Sequence, residues 1–133
     1  MWIKSRIRAT SDLVRAVDLL EQAATREGYR FLAAHPLFKY AHDAELEGAP
    51  QAVSLDFDVP RLDRYWPAAL PETAWLLPVR FSVVPHKGTL WLVSPDPGWL
   101  HGLFSDPEGP LKNSVSWFAA TQEIVRHRLA AGG

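Results

Sequence analysis

The chain has 133 residues, with 14 basic and 15 acidic side chains for a formal net charge of −1, six tryptophans and no cysteine. That length suits one domain spanning residues 1–133, and such a domain buries roughly two-thirds of the surface its unfolded chain exposes, enough for a core without covalent staples. Balanced charge supplies no global field for nucleic acid or anionic lipid, and the missing thiols exclude disulfides, thiolate metal ligands and thiol nucleophiles.

Residues 1–8 alternate polar and apolar side chains and do not form the continuous apolar core of a signal peptide. No later stretch approaches the ~20 apolar residues of a membrane span. A soluble, cytoplasmic protein is expected, with no membrane partner.

The opening run predicts a half-buried strand, with Ile3, Ser5, Ile7 and Ala9 on one face and Trp2, Lys4, Arg6 and Arg8 on the other. Thr10 or Ser11 then caps a helix running to about Glu27, with Asp12 in its first turn and Leu13, Val17, Leu20 and Ala24 at helical spacing. Gly28 is a left-handed stop. Tyr29 to Ala34 reads as a second strand, ended by His35-Pro36, and residues 37–51 read as irregular. Val53 to Val59 alternates apolar and polar residues until Pro60, which predicts a strand with a wet face. Arg61 to Leu77 is a proline-punctuated connection that forms helical turns or covers a core edge.

Val79 to Val93 reads as a β-hairpin around Pro85-His86-Lys87-Gly88, with Val84 paired to Thr89. This places Phe81, Val83, Leu90 and Leu92 on the core face and Arg80, Ser82, Thr89, Trp91 and Val93 on the other. Asp96-Pro97 opens a short helix to Phe104, and Lys112 to Ala130 forms the last helix, burying Val115, Phe118, Ala119, Val125 and Leu129. Gly132-Gly133 is a frayed end.

These elements predict an α+β fold: a single mainly antiparallel sheet with two long helices packed on one face, in the order β-α-β-β-β-β-α. A capped helix ending at Gly28-Tyr29, the Leu77-Pro78-Val79-Arg80 entry to the hairpin and a proline-bearing turn before the last helices resemble the prokaryotic family called domain of unknown function three hundred and two. That resemblance implies a small α+β domain that can dimerise, and it carries over no catalytic residues.

Local chemistry is sparse. His35 and His42 lie across a proline, His86 sits near the hairpin tip and His127 stands between Arg126 and Arg128, so no histidine set has zinc-ligand spacing. No cofactor or metal is expected. His42-Asp43-Glu45 and His101 with Asp106 are local acid-base pairs without an obvious nucleophile. The common local motifs for acyl transfer, zinc hydrolysis and phosphate cradling are absent. Asp56 and Asp58 share a strand face, either as paired carboxylates or, as favoured here, as a solvated face paired with Lys4, Arg6, Arg8 or Arg80. Trp2 beside Lys4, Arg6 and Arg8 has the character of a single-strand nucleic-acid platform, which the balanced charge and the acidic strand oppose.

The tryptophans are more informative. Alternation puts Trp2, Val84, Trp91 and Val93 on the face the long helices leave open, beside Arg6 and Arg80. Such a patch predicts a non-enzymatic binding or oligomerising module, a homodimer or another protein docking there. The alternative is a small-molecule-binding protein or enzyme with a pocket between sheet and helices near Tyr65, Trp66, Trp75, His101 and Phe104.

Overall fold

The computed structural model describes residues 2–39, 51–104 and 108–131, apart from the side chains of Leu100 and His101. The elements are β1 (Trp2–Arg6), α1 (Leu13–Arg26), β2 (Arg30–Pro36), β3 (Val53–Asp58), α2 (Pro60–Ala69), a 3-10 turn (Pro71–Leu76), β4 (Val79–His86), β5 (Thr89–Pro95), α3 (Pro97–His101) and α4 (Gly109–Ala130). The strands form one antiparallel sheet in the order β1-β5-β4-β3-β2. The expected α+β class and its antiparallel sheet are borne out.

Strands β1 and β2 are the two ends of this order, so α1 must carry the chain from one side of the sheet to the other. Its 14 residues measure ~21 Å, close to the ~19 Å of four strand spacings. Its cap differs from the expected one. Asp12 itself is the N-cap, accepting from the Val14 amide at 3.3 Å, while Thr10 Oγ1 accepts from the Asp12 amide at 3.1 Å. The carboxylate thus meets an otherwise orphan amide directly instead of sitting inside the first turn. Gly28, at φ +90, ends the helix as expected.

The hairpin turns at Lys87 and Gly88, whose φ values of +50 and +76 are both positive, the signature of a tight two-residue turn matched to strand twist. His86 therefore pairs with Thr89 and Val83 with Leu92, two positions from the expected register. A shift of two leaves every side chain on its predicted face. Pro85 lies past the β3 pairing, which ends at Val83, where one side of β4 is an edge and proline is tolerated.

The inner face carries Leu55, Phe57, Val79, Phe81, Val83, Leu90 and Leu92, buried against Ala16, Leu20, Phe118 and Val125 of the two long helices. The proline-rich connection is α2 followed by the 3-10 turn, and α2 buries Leu62 and Trp66. The Leu77–Pro78 peptide at the entry to β4 is cis. The expected irregular segment 37–51 falls mostly on residues 40–50, which lie outside the described residues.

Asn-Gly suits two successive positive φ angles better than Lys-Gly. Lys87→Asn should raise the thermal midpoint by about 1–3 °C, and Gly88→Ala should lower it by roughly 3–5 °C, the equivalent of ~1 kcal/mol. Circular dichroism melts of the two variants check the turn, and equal midpoints for both would contradict it.

Candidate functional site

The register brings the predicted outer-face residues together. Trp91 lies between Arg6 on β1 and Val84 on β4, and Val93 lies between Lys4 and Ser82. Trp91 is not the naked patch that alternation alone suggests. Lys4 Nζ lies 4.2 Å from its ring centroid, a cation–π contact, and the half-buried indole keeps its Nε1 sealed from solvent without a partner among the described residues. Trp2, at the start of β1, is 67% exposed.

Towards β2 the same face is polar and internally paired. Asp56 Oδ1 accepts from Arg80 Nε at 2.7 Å, and Oδ2 lies 3.3 Å from an Arg80 terminal nitrogen and 2.7 Å from His35 Nε2. Ser54 and Ser82 bridge β3 and β4 through a 2.7 Å hydroxyl contact. The strand face expected to be solvated therefore holds a carboxylate only 8% exposed. The Arg80 guanidinium holds Asp56 below the usual carboxylate range, against the opposing effect of burial, and His35 adds to the lowering. The expected Asp56–Arg80 cross-strand pair is present. His35 is a second partner that reading Pro36 as a strand stop concealed.

Asp58 does not pair with Asp56. It meets Arg30 of β2, with Arg30 Nε 3.1 Å from Oδ2, and Asp63 in the first turn of α2. Burial and the neighbouring Asp58 carboxylate push the Asp63 carboxyl up to about 6, while Asp63 and then Arg30 hold Asp58 down. Two carboxyl groups here share one proton, so neither titrates alone. Among the described residues no group of three histidine or acidic side chains is arranged to hold a metal ion.

At the end of the sheet where β1 begins, β4 begins and β5 ends, the structure contains a cavity of ≈ 300 Å³. Trp66 of α2, Trp75 and Leu76 of the 3-10 turn, Trp99 of α3 and Phe118 of α4 wall it from the helical side. Trp2, Val79, Arg80, Ser82, Val93, Ser94 and Pro95 wall it from the sheet. Residues from both sheet faces line one space because the cavity wraps around the strand ends. Trp66 is fixed by donation from Nε1 to Ser114 Oγ at 3.2 Å and by edge contact with Phe118, with ring centroids 5.4 Å apart. Trp75 is 72% exposed and stands with Trp2 at the mouth.

Both sets of predicted residues are divided by this geometry. Trp2, Arg80 and Val93 line the cavity, whereas Arg6, Val84 and Trp91 lie farther along the sheet. Trp66 and Trp75 line it too, and Phe104 backs Trp66 with centroids 5.9 Å apart. Tyr65 instead borders a separate cleft with Arg61 and Asn113, because it projects from a different side of α2 than Trp66. The His101 side chain, together with His42, Asp43, Glu45, Asp106 and Gly132-Gly133, lies outside the described residues. Ser94, Trp99 and Phe118 were missed as lining residues. One signal for Ser94 was present in the alternation: it follows Leu90 and Leu92 on the apolar face of β5, and a hydroxyl there calls for a partner.

The proton shared by Asp58 and Asp63 makes stability pH-dependent with a definite sign. Asp63 has an ordinary value of 3.8 and a folded value of about 6, so the folded state binds the proton more tightly. Its contribution is present below about pH 4 and is lost as pH rises through about 6. Asp63→Asn should match the wild-type melting temperature near pH 4.5 and exceed it by about 1–3 °C at pH 7.5, a small gain because solvent still reaches Asp63 and screens the pair. Melting curves across that range check it, and a pH-independent difference would contradict the shared proton.

No family model and no curated protein matches the chain. Among solved structures, that of the uncharacterized conserved protein DUF302 from Bacillus stearothermophilus superposes with a TM-score of 0.81 at 18% sequence identity, covering 96% of this chain and 97% of that one. The resemblance drawn from the sequence therefore holds at the level of the fold.

Proposed function

We propose that the protein is a small-ligand-binding module whose site is the tryptophan-walled cavity at the end of the sheet. The observation that carries this reading is the cavity itself: ≈ 300 Å³, walled by Trp2, Trp66, Trp75 and Trp99, with the buried Ser94 hydroxyl lacking a hydrogen-bond partner among the described residues. Ligand sites are concave and mostly apolar, with a few placed polar groups, and this volume is at the lower end of their range. Four of the chain's six tryptophans converge on it, more indole than one wall of a small core requires. Among the described residues of the wall no nucleophile stands beside a base, so binding rather than a reaction is the function proposed.

A second reading keeps the open face as a protein interface, centred on a homodimer. Trp2, on that face and 67% exposed, favours it, since large aromatic side chains are enriched at interface centres.

Protein-observed NMR with a fragment library tests the first reading. Binders should shift the amides of Val79, Ser82, Val93 and Ser94, and Trp75→Ala should weaken them about tenfold, the loss expected for an aromatic anchor. Binders that map only elsewhere would overturn it. Light scattering tests the second: a wild type that stays monomeric at high concentration removes the homodimer, and a dimer that dissociates in Trp2→Lys supports it.

A further inference from the structure

Which molecules fit this cavity follows from which of its polar groups are already engaged. Ser82 Oγ is bonded to Ser54 Oγ at 2.7 Å. Arg80 directs both Nε and a terminal nitrogen at Asp56, at 2.7 and 3.3 Å. Of the hydroxyl and charged side chains in the wall, Ser94 alone has no hydrogen-bond partner among the described residues, and it is 2% exposed. We infer that the cavity takes an uncharged, planar aromatic molecule bearing one hydrogen-bonding substituent, the ring lying among the indoles and the substituent meeting Ser94 Oγ as that hydroxyl turns from its sealed position towards the ligand. This rests on the binding function proposed above.

The alternatives fail on named groups. A carboxylate or phosphate would find an arginine whose charge Asp56 already offsets, and would give up its hydration to an otherwise largely apolar wall, a costly exchange. A cation would gain from the indole faces, but no carboxylate lines the cavity to replace the hydration it would lose. A saccharide would bring several hydroxyls to a wall with one hydroxyl to spare, and each unpaired buried group is penalised. A saturated ring fills the space but forgoes offset or edge-on contact with the tryptophans. At interior packing density the cavity holds roughly 220 Å³ of molecular volume, a size suited to two or three fused rings.

Isothermal titration of the full chain with a matched set tests the inference: 2-naphthol, naphthalene, 2-naphthoate, 2-naphthylmethylammonium and the saturated 2-decalol. In the wild type, 2-naphthol should bind about three- to tenfold tighter than naphthalene, the difference made by one hydrogen bond. It should bind at least tenfold tighter than either charged analogue and severalfold tighter than 2-decalol. Ser94→Ala should bring 2-naphthol and naphthalene within about twofold of each other. Ser94→Thr, which keeps the hydroxyl, should retain the preference. A best ligand that is charged or saturated overturns the ligand class while leaving the cavity as the site. A 2-naphthol preference that survives Ser94→Ala overturns the role of Ser94. If no compound of the set or of the fragment library shifts the cavity amides, the binding function fails with it.

Discussion

The fold depends on the burial of Tyr29. Gly28 turns the chain out of α1 with a positive φ, and the Tyr29 amide donates to the Ala24 carbonyl at 3.1 Å, so the ring is delivered into the core one residue before β2 begins. There it meets Phe57 and Phe81 of the sheet and Trp117 and Phe118 of α4, with centroids 5.7 to 6.3 Å away. A phenol cannot be buried without a partner for its hydroxyl, and Thr121 Oγ1 provides one at 2.8 Å. Burial pushes the Tyr29 pKa up, so the hydroxyl stays neutral and available as a donor. One side chain thereby ties the end of α1 to both the sheet and α4.

With that corner set, the two sheet faces have different fates. The inner face is closed by α1 and α4, and its aromatic layer continues from Phe57 and Phe81 through Phe118 to Trp66. The outer face solves the same desolvation problem with paired polar groups: Asp56 between Arg80 and His35, Ser54 with Ser82, and Arg30 with Asp58. The cavity opens where the two regimes meet, at the strand ends, and it borrows apolar walls from one and an already neutralised arginine from the other. Its character follows from this position more than from any single residue.

A chain with 18% identity carries the same fold at a TM-score of 0.81. Alternation along strands, helical periodicity and a few turn residues are enough to specify such a layer, and cores of conserved patterning tolerate extensive change in the side chains themselves.

By itself the sequence determined the elements and their faces, because period-two alternation and helical spacing are local properties of the chain. Phe81, Val83, Leu90 and Leu92 face the core even though the hairpin register differs by two positions, since a shift of two preserves the face. The Asp56–Arg80 pair was legible for the same reason. Tertiary structure decided what depends on convergence across distant segments. Trp2, Trp66, Trp75 and Trp99 come from a strand, a helix, a 3-10 turn and a short helix, and no spacing rule places them around one cavity. Asp63 finds Asp58 only because α2 folds back beside the end of β3. Side-chain direction is set locally, but the distance between two side chains far apart in sequence is set by how the layers pack, and a binding site is made of such distances.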